Sequence, residues 1–101
     1  MHAQVFTYVL DLDSRADYFA RFVDPFAGPV AAAKGLVSKV WMADFDRKFA
    51  SFYLWESKEA MTAFMASPVI AKVASLPFLK DLNIVDYPVV EEASRITRGV
   101  K

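Results

Sequence analysis

The chain has 101 residues, with 12 basic and 12 acidic side chains, no cysteine, and a hydrophobic fraction of 55%. This length is enough for one domain, and we expect residues 1–101 to form one. A net charge of zero and the lack of any basic run argue against nucleic-acid binding, and the lack of cysteine excludes disulfides and thiolate metal sites. The high hydrophobic fraction indicates that a second copy of the chain covers part of the surface.

The beginning of the chain lacks the features of an export signal. No Lys or Arg precedes Arg15, and Asp11 and Asp13 interrupt the apolar start. The longest uncharged run, residues 60–71, is too short to cross a membrane. The sequence therefore predicts a cytoplasmic protein without membrane segments.

A strand and a helical region are predicted in the first third of the chain. The run Ala3–Leu10 is rich in β-branched and aromatic residues, which favours a strand buried on both faces. A serine N-cap and aromatic residues at helical spacing then indicate a first helix. Pro25, Gly28 and Pro29 are expected to kink or split this helix, and Gly35 to end it.

A β-hairpin is predicted in the middle of the chain. The β-rich runs Leu36–Ala43 and Phe49–Glu56 are separated by a short polar linker, the five residues DFDRK at 44–48, a length that suits a hairpin better than a crossover.

A second helical region, a last strand and a tail complete the chain. Ser57 is the predicted N-cap of this region, which restarts at Ser67 and stops at Pro77. Leu82–Val89 is the fourth predicted strand, and residues 90–101 form a polar tail.

The element order β-α-β-β-α-β predicts an α+β fold of the ferredoxin-like type. In this arrangement a four-stranded antiparallel sheet carries both helices on one face. Because the strands are apolar on both sides, the other face also needs a cover, and a second copy of the sheet would provide it.

One face of the predicted hairpin combines aromatic rings with polar groups. With a five-residue loop, the numbers of facing residues add up to 92, and side chains alternate between the two faces. The pairs on this face are Lys39 and Tyr53, Trp41 and Ser51, and Val37 and Trp55. Large rings with one amine, one phenol and one hydroxyl suit an aromatic ligand that is held by stacking. The same residues could instead form ordinary core or a dimer interface.

Two further ionisable residues are candidate partners in this chemistry. Asp86 shares a predicted strand face with apolar residues, so it is either an ion-pair partner for Lys39 or a general base. His2 is the only imidazole and lies at a terminus that is expected to fray. No glycine-rich phosphate loop and no His or Cys cluster is present, so no cofactor and no metal site is predicted.

Three segments carry a resemblance to a known family: GLVSKVW at 35–41, ASFYLWESKEAM at 50–61 and EEASRITRG at 91–99. Together with Pro25 in the first helix, they resemble the YdhR-type monooxygenases of the dimeric α/β-barrel superfamily. The resemblance implies a homodimer whose two sheets close into a barrel, with a cavity between each sheet and its helices. It also implies a relation to small cofactor-free oxygenases of aromatic polyketides.

The resemblance and the hairpin face together lead to a functional hypothesis. We expect a cofactor-independent monooxygenase that acts on a small aromatic or polyketide-like substrate. The substrate is deprotonated, its anion passes an electron to O₂, and the protein supplies a dry pocket, a base and hydrogen-bond donors. The predicted catalytic residues are Lys39, Tyr53 and Asp86, and the predicted substrate-binding residues are Trp41, Ser51, Trp55 and Arg98.

Alternatives remain open at this point. Related barrels could act as cyclases, isomerases or lyases without O₂, or the protein could be a non-enzymatic dimer that binds a small ligand. Arg98 lies in a tail that is expected to pack on the partner subunit, where it could also contact an anionic ligand.

Overall fold

The computed structural model describes every residue from Met1 to Lys101. Its elements are β1 (His2–Leu10), α1 (Arg15–Tyr18), a π-helical segment (Phe19–Val23), α2 (Asp24–Ala31), β2 (Leu36–Ala43), β3 (Phe49–Trp55), α3 (Lys58–Met65), α4 (Pro68–Ala74), β4 (Leu79–Pro88) and α5 (Glu91–Ile96). The four strands form one antiparallel sheet in the order β2-β3-β1-β4. This arrangement confirms the predicted ferredoxin-like α+β fold. None of the helices combines the length and the apolar composition that crossing a bilayer requires.

The core lies between one face of this sheet and the helices. Along β1 every second residue is buried, because side chains alternate across a strand. These residues pack against aromatic side chains of the helical region, among them Tyr18, Phe22, Phe26 and Phe64. Burying one such ring contributes roughly 1.5–3 kcal/mol of transfer free energy, so this face accounts for much of the stability.

Both predicted serine caps are present. The Ser14 Oγ accepts a hydrogen bond from the Asp17 amide at 3.1 Å, and the Ser57 Oγ accepts one from the Ala60 amide at 3.1 Å. Each cap satisfies a backbone N–H that lacks a partner within the helix, which is worth about 1 kcal/mol.

The first helical region is not split at its prolines, contrary to the prediction. Its irregularity lies earlier, where the Asp24 amide donates to the Phe19 carbonyl in a π-helical turn. Pro25 then lies in the first turn of α2, where a missing N–H is tolerated, and α2 continues through Pro29 to Ala31.

The predicted hairpin register is confirmed except at one end. Lys39 faces Tyr53 and Trp41 faces Ser51, but Leu36 rather than Val37 faces Trp55. The reason is a bulge between Leu36 and Ser38, which places one extra residue on β2 and shifts the alternation. Val37 is consequently 45% exposed.

Both chain ends are more ordered than the sequence suggested. His2 does not fray: it belongs to β1, pairs with β3 on one side and β4 on the other, and is 5% exposed. β4 begins at Leu79, three residues before the predicted start, and the polar tail contains the short helix α5.

Gly35 provides a direct test of the packing between the β2 entrance and α3. Its φ of +84° suits glycine, and an added Cβ would lie 2.5 Å from the Cβ of Ala60. We expect Gly35→Ala to lower the free energy of unfolding by about 2 kcal/mol or more, because backbone strain and a steric clash combine. Urea denaturation measures this change.

Gly28 is the matched control for this substitution. It lies within α2, and an added Cβ would meet no atom within 4 Å. Gly28→Ala should therefore raise the stability by about 0.5–1 kcal/mol through better helix propensity. Equal losses in the two variants would contradict the role assigned to Gly35.

The sheet face that points away from the helices, called the open face below, is unusually apolar. The exposed fractions are 47% for Val40, 40% for Met42, 38% for Val85 and 64% for Tyr87. Residues of this face and the β2–β3 loop border a shallow depression of about 640 Å³. Contiguous apolar patches of this kind mark interaction surfaces in soluble proteins.

Candidate functional site

The candidate site is a narrow cavity between the sheet and the helices, called the cavity below. β1, β2 and β3 line its floor with Tyr8, Lys39, Trp41, Ser51 and Tyr53, and rings such as Phe22, Phe26 and Phe64 form its roof. The space open to the centre of a water-sized sphere is about 10 Å³, which is room for one water molecule. A larger ligand therefore needs the surrounding rings to move apart.

Lys39 places an amine among the aromatic rings of the cavity. Its Nζ lies 3.4 Å from the ring centre of Trp41 and 4.8 Å from that of Tyr53. No carboxylate lies within 4 Å of this nitrogen. The ring faces favour an ammonium ion, but burial disfavours it more strongly and lowers the pKa of Lys39 to about 7. At neutral pH this side chain can therefore both accept and release a proton.

Tyr53 supplies a phenol beside this amine. The residue is 4% exposed, and the rings of Phe6 and Phe64 hold it with centre-to-centre distances of 4.9 and 5.5 Å. Its hydroxyl makes no hydrogen bond within the chain. Burial raises the pKa of Tyr53, so this hydroxyl stays protonated at neutral pH. The hydroxyl is thus a donor without a partner, on a ring whose centre lies 4.8 Å from the Lys39 Nζ.

A second phenol at the cavity was missed in the sequence. The Tyr8 hydroxyl and the Ser51 Oγ are hydrogen-bonded at 2.7 Å in a buried position. Burial raises the pKa of Tyr8, and the hydrogen bond with Ser51 opposes this only in part. Alternation groups Tyr8 with Phe6 on one face of β1, and the pairing of Phe6 with Ser51 places that group on the cavity face.

Trp41 forms part of the cavity wall, as predicted. The Phe22 ring meets it edge-on, with 5.8 Å between ring centres and an interplanar angle of 90°. Phe22 comes from the π-helical segment, so the irregular turn determines which ring packs against Trp41. π-helical turns recur at functional sites, but nothing in the sequence pattern indicated one here.

Trp55 does not line the cavity, which corrects its predicted role as a binding residue. It is fully buried behind Tyr53, with parallel rings 5.9 Å apart, and its Nε1 donates to the Gln4 Oε1 at 2.9 Å. Contact with the Phe64 ring of α3 and the hydrogen bond to Gln4 make this indole part of the core.

Asp86 does not lie in the cavity and does not pair with Lys39. The row across the sheet runs Lys39, Tyr53, Gln4, Asp86, so the two charged residues occupy opposite edge strands. Three strand spacings separate them, roughly 14 Å. The Asp86 Oδ1 instead lies 2.6 Å from the His2 Nε2.

Arg98 is also separate from the cavity in the single chain. It is exposed, with a φ of +66°, and borders a depression on the open face beside Ser38 and Leu54. Val100, two residues further on, lines the same depression and is 7% exposed. The tail thus covers part of its own sheet.

A comparison with models of protein families identifies the family of this chain. The family model described as "Putative mono-oxygenase ydhR" matches residues 6–100. This chain belongs to the YdhR family. No curated protein matches its sequence.

Several solved structures share the fold at low identity. SnoaB from Streptomyces nogalater, described as a cofactor-independent oxygenase, has a TM-score of 0.69 and 16% identity over 88% of this chain and 92% of its own. Rv0793 from Mycobacterium tuberculosis has a TM-score of 0.70 and 20% identity over 92% and 98%. A variant of MhuD with two manganese protoporphyrin IX molecules per active site has a TM-score of 0.68 and 19% identity over 89% and 95%. These similarities establish the fold of this YdhR-family member.

Proposed function

We propose that this YdhR-family protein is a homodimeric, cofactor-independent monooxygenase that acts on a small aromatic or polyketide-like substrate. The observation that carries the proposal is a buried amine without a carboxylate partner, placed on aromatic rings beside an unpaired phenol. The family match and the oxygenase SnoaB support the reaction class.

Lys39 is the base in this mechanism. With its pKa lowered to about 7, about half of the molecules carry a neutral amine at neutral pH. The amine removes a proton from a phenol or an activated CH₂ group of the substrate, and the resulting ammonium stabilises the anion. The protonated Tyr53 donates a hydrogen bond to the same anionic oxygen.

Molecular oxygen is the oxidant, and the substrate itself is the reductant. For a CH₂ group between two aromatic rings, the carbanion transfers electrons to O₂ and a new C–O bond forms. Breaking the O–O bond, together with loss of the second C–H proton, then yields a C=O group and one water molecule, so that CH₂ and O₂ become C=O and H₂O. The ammonium of Lys39 returns the proton that the leaving oxygen needs.

The homodimer supplies a cover for the open face. Val40, Phe52, Val5 and Val85 form one continuous row across all four strands on this face. A second sheet packed on this row would remove the apolar surface from water. Val90 and Ile96, which are 69% and 84% exposed, are the apolar tail residues proposed to contact the partner.

Porphyrin binding, as in MhuD, is not carried over to this chain. The cavity lining contains neither His nor Cys, and the one imidazole lies outside it, bonded to Asp86. No group of three or more His, Cys, Asp or Glu side chains is positioned to hold a metal ion. The residues present therefore do not fit the usual axial ligation of haem.

A test of the proposed function is oxygen consumption with hydroxylated anthrones. We expect the wild-type protein to consume O₂ and form the corresponding quinone, and Tyr53→Phe to lower kcat at least about tenfold, because one anion-stabilising donor is lost. Tyr87→Phe is the matched control, since that phenol lies on the open face, on the opposite side of the sheet from the cavity.

The second candidate function is acid-base catalysis without oxygen, such as cyclisation or isomerisation. Lys39 and Tyr53 favour this function as well, because an amine base and a phenol donor suffice for proton transfer. Product formation that continues under strict exclusion of O₂ would establish this function and reject the oxygenase. Equal turnover by wild-type protein and Tyr53→Phe would reject the site in either reaction.

A further inference from the structure

Lys39 differs from every other lysine of the chain in its surroundings. The six others, Lys34, Lys48, Lys58, Lys72, Lys80 and Lys101, are exposed. Only Lys39 has its Nζ on aromatic ring faces at the edge of the cavity. This amine nevertheless keeps some contact with solvent, because no buried side-chain nitrogen or oxygen lacks a hydrogen-bond partner and Lys39 has none. It is therefore both distinctive and reachable.

We propose that Lys39 is a nucleophile that binds carbonyl compounds covalently as an imine, with flat, mainly apolar aldehydes and ketones as its ligand class. The geometry favours this class in two ways. Aromatic side chains form the walls of the cavity, so the carbon skeleton of such a ligand meets apolar surface. No carboxylate pairs with the Lys39 amine, so its lone pair is available to react with the ligand once the proton has left.

The bond-forming step balances without any oxidant or reductant. The Nζ lone pair attacks the carbonyl carbon, a C–N bond forms, and the C=O electron pair moves to oxygen. A proton passes from nitrogen to this oxygen and gives a carbinolamine. Loss of the hydroxyl group with one further proton releases water and leaves a C=N bond. The reaction is reversible, and the free amine returns on hydrolysis.

Tyr53 has a defined part in this step. Its ring centre lies 4.8 Å from the Lys39 Nζ, and its hydroxyl has no partner in the chain. Because burial raises the pKa of Tyr53, the phenol stays protonated at neutral pH and can donate to the carbonyl oxygen. This donation makes the carbon more electrophilic and helps the hydroxyl group to leave as water.

Burial also provides the amine in its reactive form. A lysine with the ordinary pKa of about 10.4 is almost completely protonated at pH 7. Lys39, with its pKa lowered to about 7, is about half neutral under the same conditions. The inference depends on the cavity of the proposed function but not on oxygen chemistry.

Reductive trapping with a small aldehyde tests the proposal. The intact protein is incubated at pH 7 with propanal and sodium cyanoborohydride, which reduces an imine to a stable propylamine, and each peptide is quantified by mass spectrometry. We expect Lys39 to be propylated at least about tenfold faster than Lys48 and Lys80, with a midpoint near pH 7. The N-terminal amine is quantified separately. Propylation of Lys39 at the rate of Lys48 or slower would overturn the proposal.

Variants separate this inference from the oxygenase proposal. Tyr53→Phe should slow the labelling of Lys39 several-fold while Lys48 is labelled as before, and an unchanged rate at Lys39 would overturn the part assigned to Tyr53. Labelling uses no O₂, whereas turnover of anthrones is measured by O₂ consumption. Labelled Lys39 without O₂ consumption supports imine formation and rejects only the oxygenase. O₂ consumption without labelled Lys39 rejects only the imine.

Discussion

Replacing Lys39 by methionine is expected to abolish turnover and to make the fold more stable at neutral pH. Methionine fills a similar volume without a charge, so the buried amine is lost while the contacts with Trp41 and Tyr53 remain. A pKa lowered from 10.5 to about 7 corresponds to at most about 5 kcal/mol of destabilisation, and remaining solvent contact reduces this to about 3 kcal/mol.

The pH dependence of stability provides a sharper form of the same prediction. Between pH 7 and about 10.4 the unfolded chain holds a proton on Lys39 that the folded protein has released. The wild-type protein should therefore gain stability from this residue as the pH rises through that window, and Lys39→Met should lose this contribution. Below pH 7 both states are protonated and the destabilisation is constant.

Urea denaturation at pH 6, 7, 8 and 9 measures this effect. Lys48→Met is the matched control, because Lys48 is exposed in the β2–β3 loop and its charge is hydrated in both states. A Lys39→Met variant that is less stable than the wild type at pH 7 would contradict the assignment of Lys39 as a buried, unpaired amine. A functional site that buries an unpaired charge lowers the stability of the fold. Lys39→Met removes that charge and is therefore expected to gain stability while it loses activity.

A charge on the open face is expected to dissociate the proposed homodimer. Val40 is 47% exposed and begins the apolar row that continues through Phe52 and Val5 to Val85. In a dimer built on this face, Val40→Asp would bury an unpaired carboxylate in each subunit, at several kcal/mol per site. We expect the dimer Kd to rise at least about 100-fold, since each 1.4 kcal/mol changes it tenfold.

Sedimentation velocity over a series of protein concentrations tests this expectation. Ala71→Asp is the matched control, because Ala71 is an exposed position of α4 on the helical side of the sheet. The control should sediment like the wild type. A wild-type protein that remains a single subunit at micromolar concentration would contradict the dimer, and with it the proposed cover of the open face.

The positions of the elements could be predicted because they depend on neighbouring residues. Ser14 and Ser57 begin helices through bonds to amides three residues away, and the loop of residues 44–48 fixes the register of the hairpin next to it. Alternation along β2 and β3 then placed Lys39, Trp41, Ser51 and Tyr53 on one face, where the structure has them.

Irregular backbone was not predictable in the same way. The bulge between Leu36 and Ser38 and the π-helical turn at Phe19–Val23 each insert one residue into a regular pattern. Neither has a local sequence signal, because packing against other elements determines where the extra residue is accommodated. The errors at Val37 and in the first helix follow from this.

The order of the strands and helices, the helix caps and the residues that share a face follow from spacing along the chain, so they are predictable from it. Which charges meet depends instead on how the strands assemble into the sheet. Strand order placed Asp86 at the far edge from Lys39 and next to His2. Packing against Phe64 and Gln4 buried Trp55 behind Tyr53. The lowered pKa of Lys39 depends likewise on rings contributed by several elements, because desolvation is a property of the whole surroundings and not of neighbouring residues in sequence.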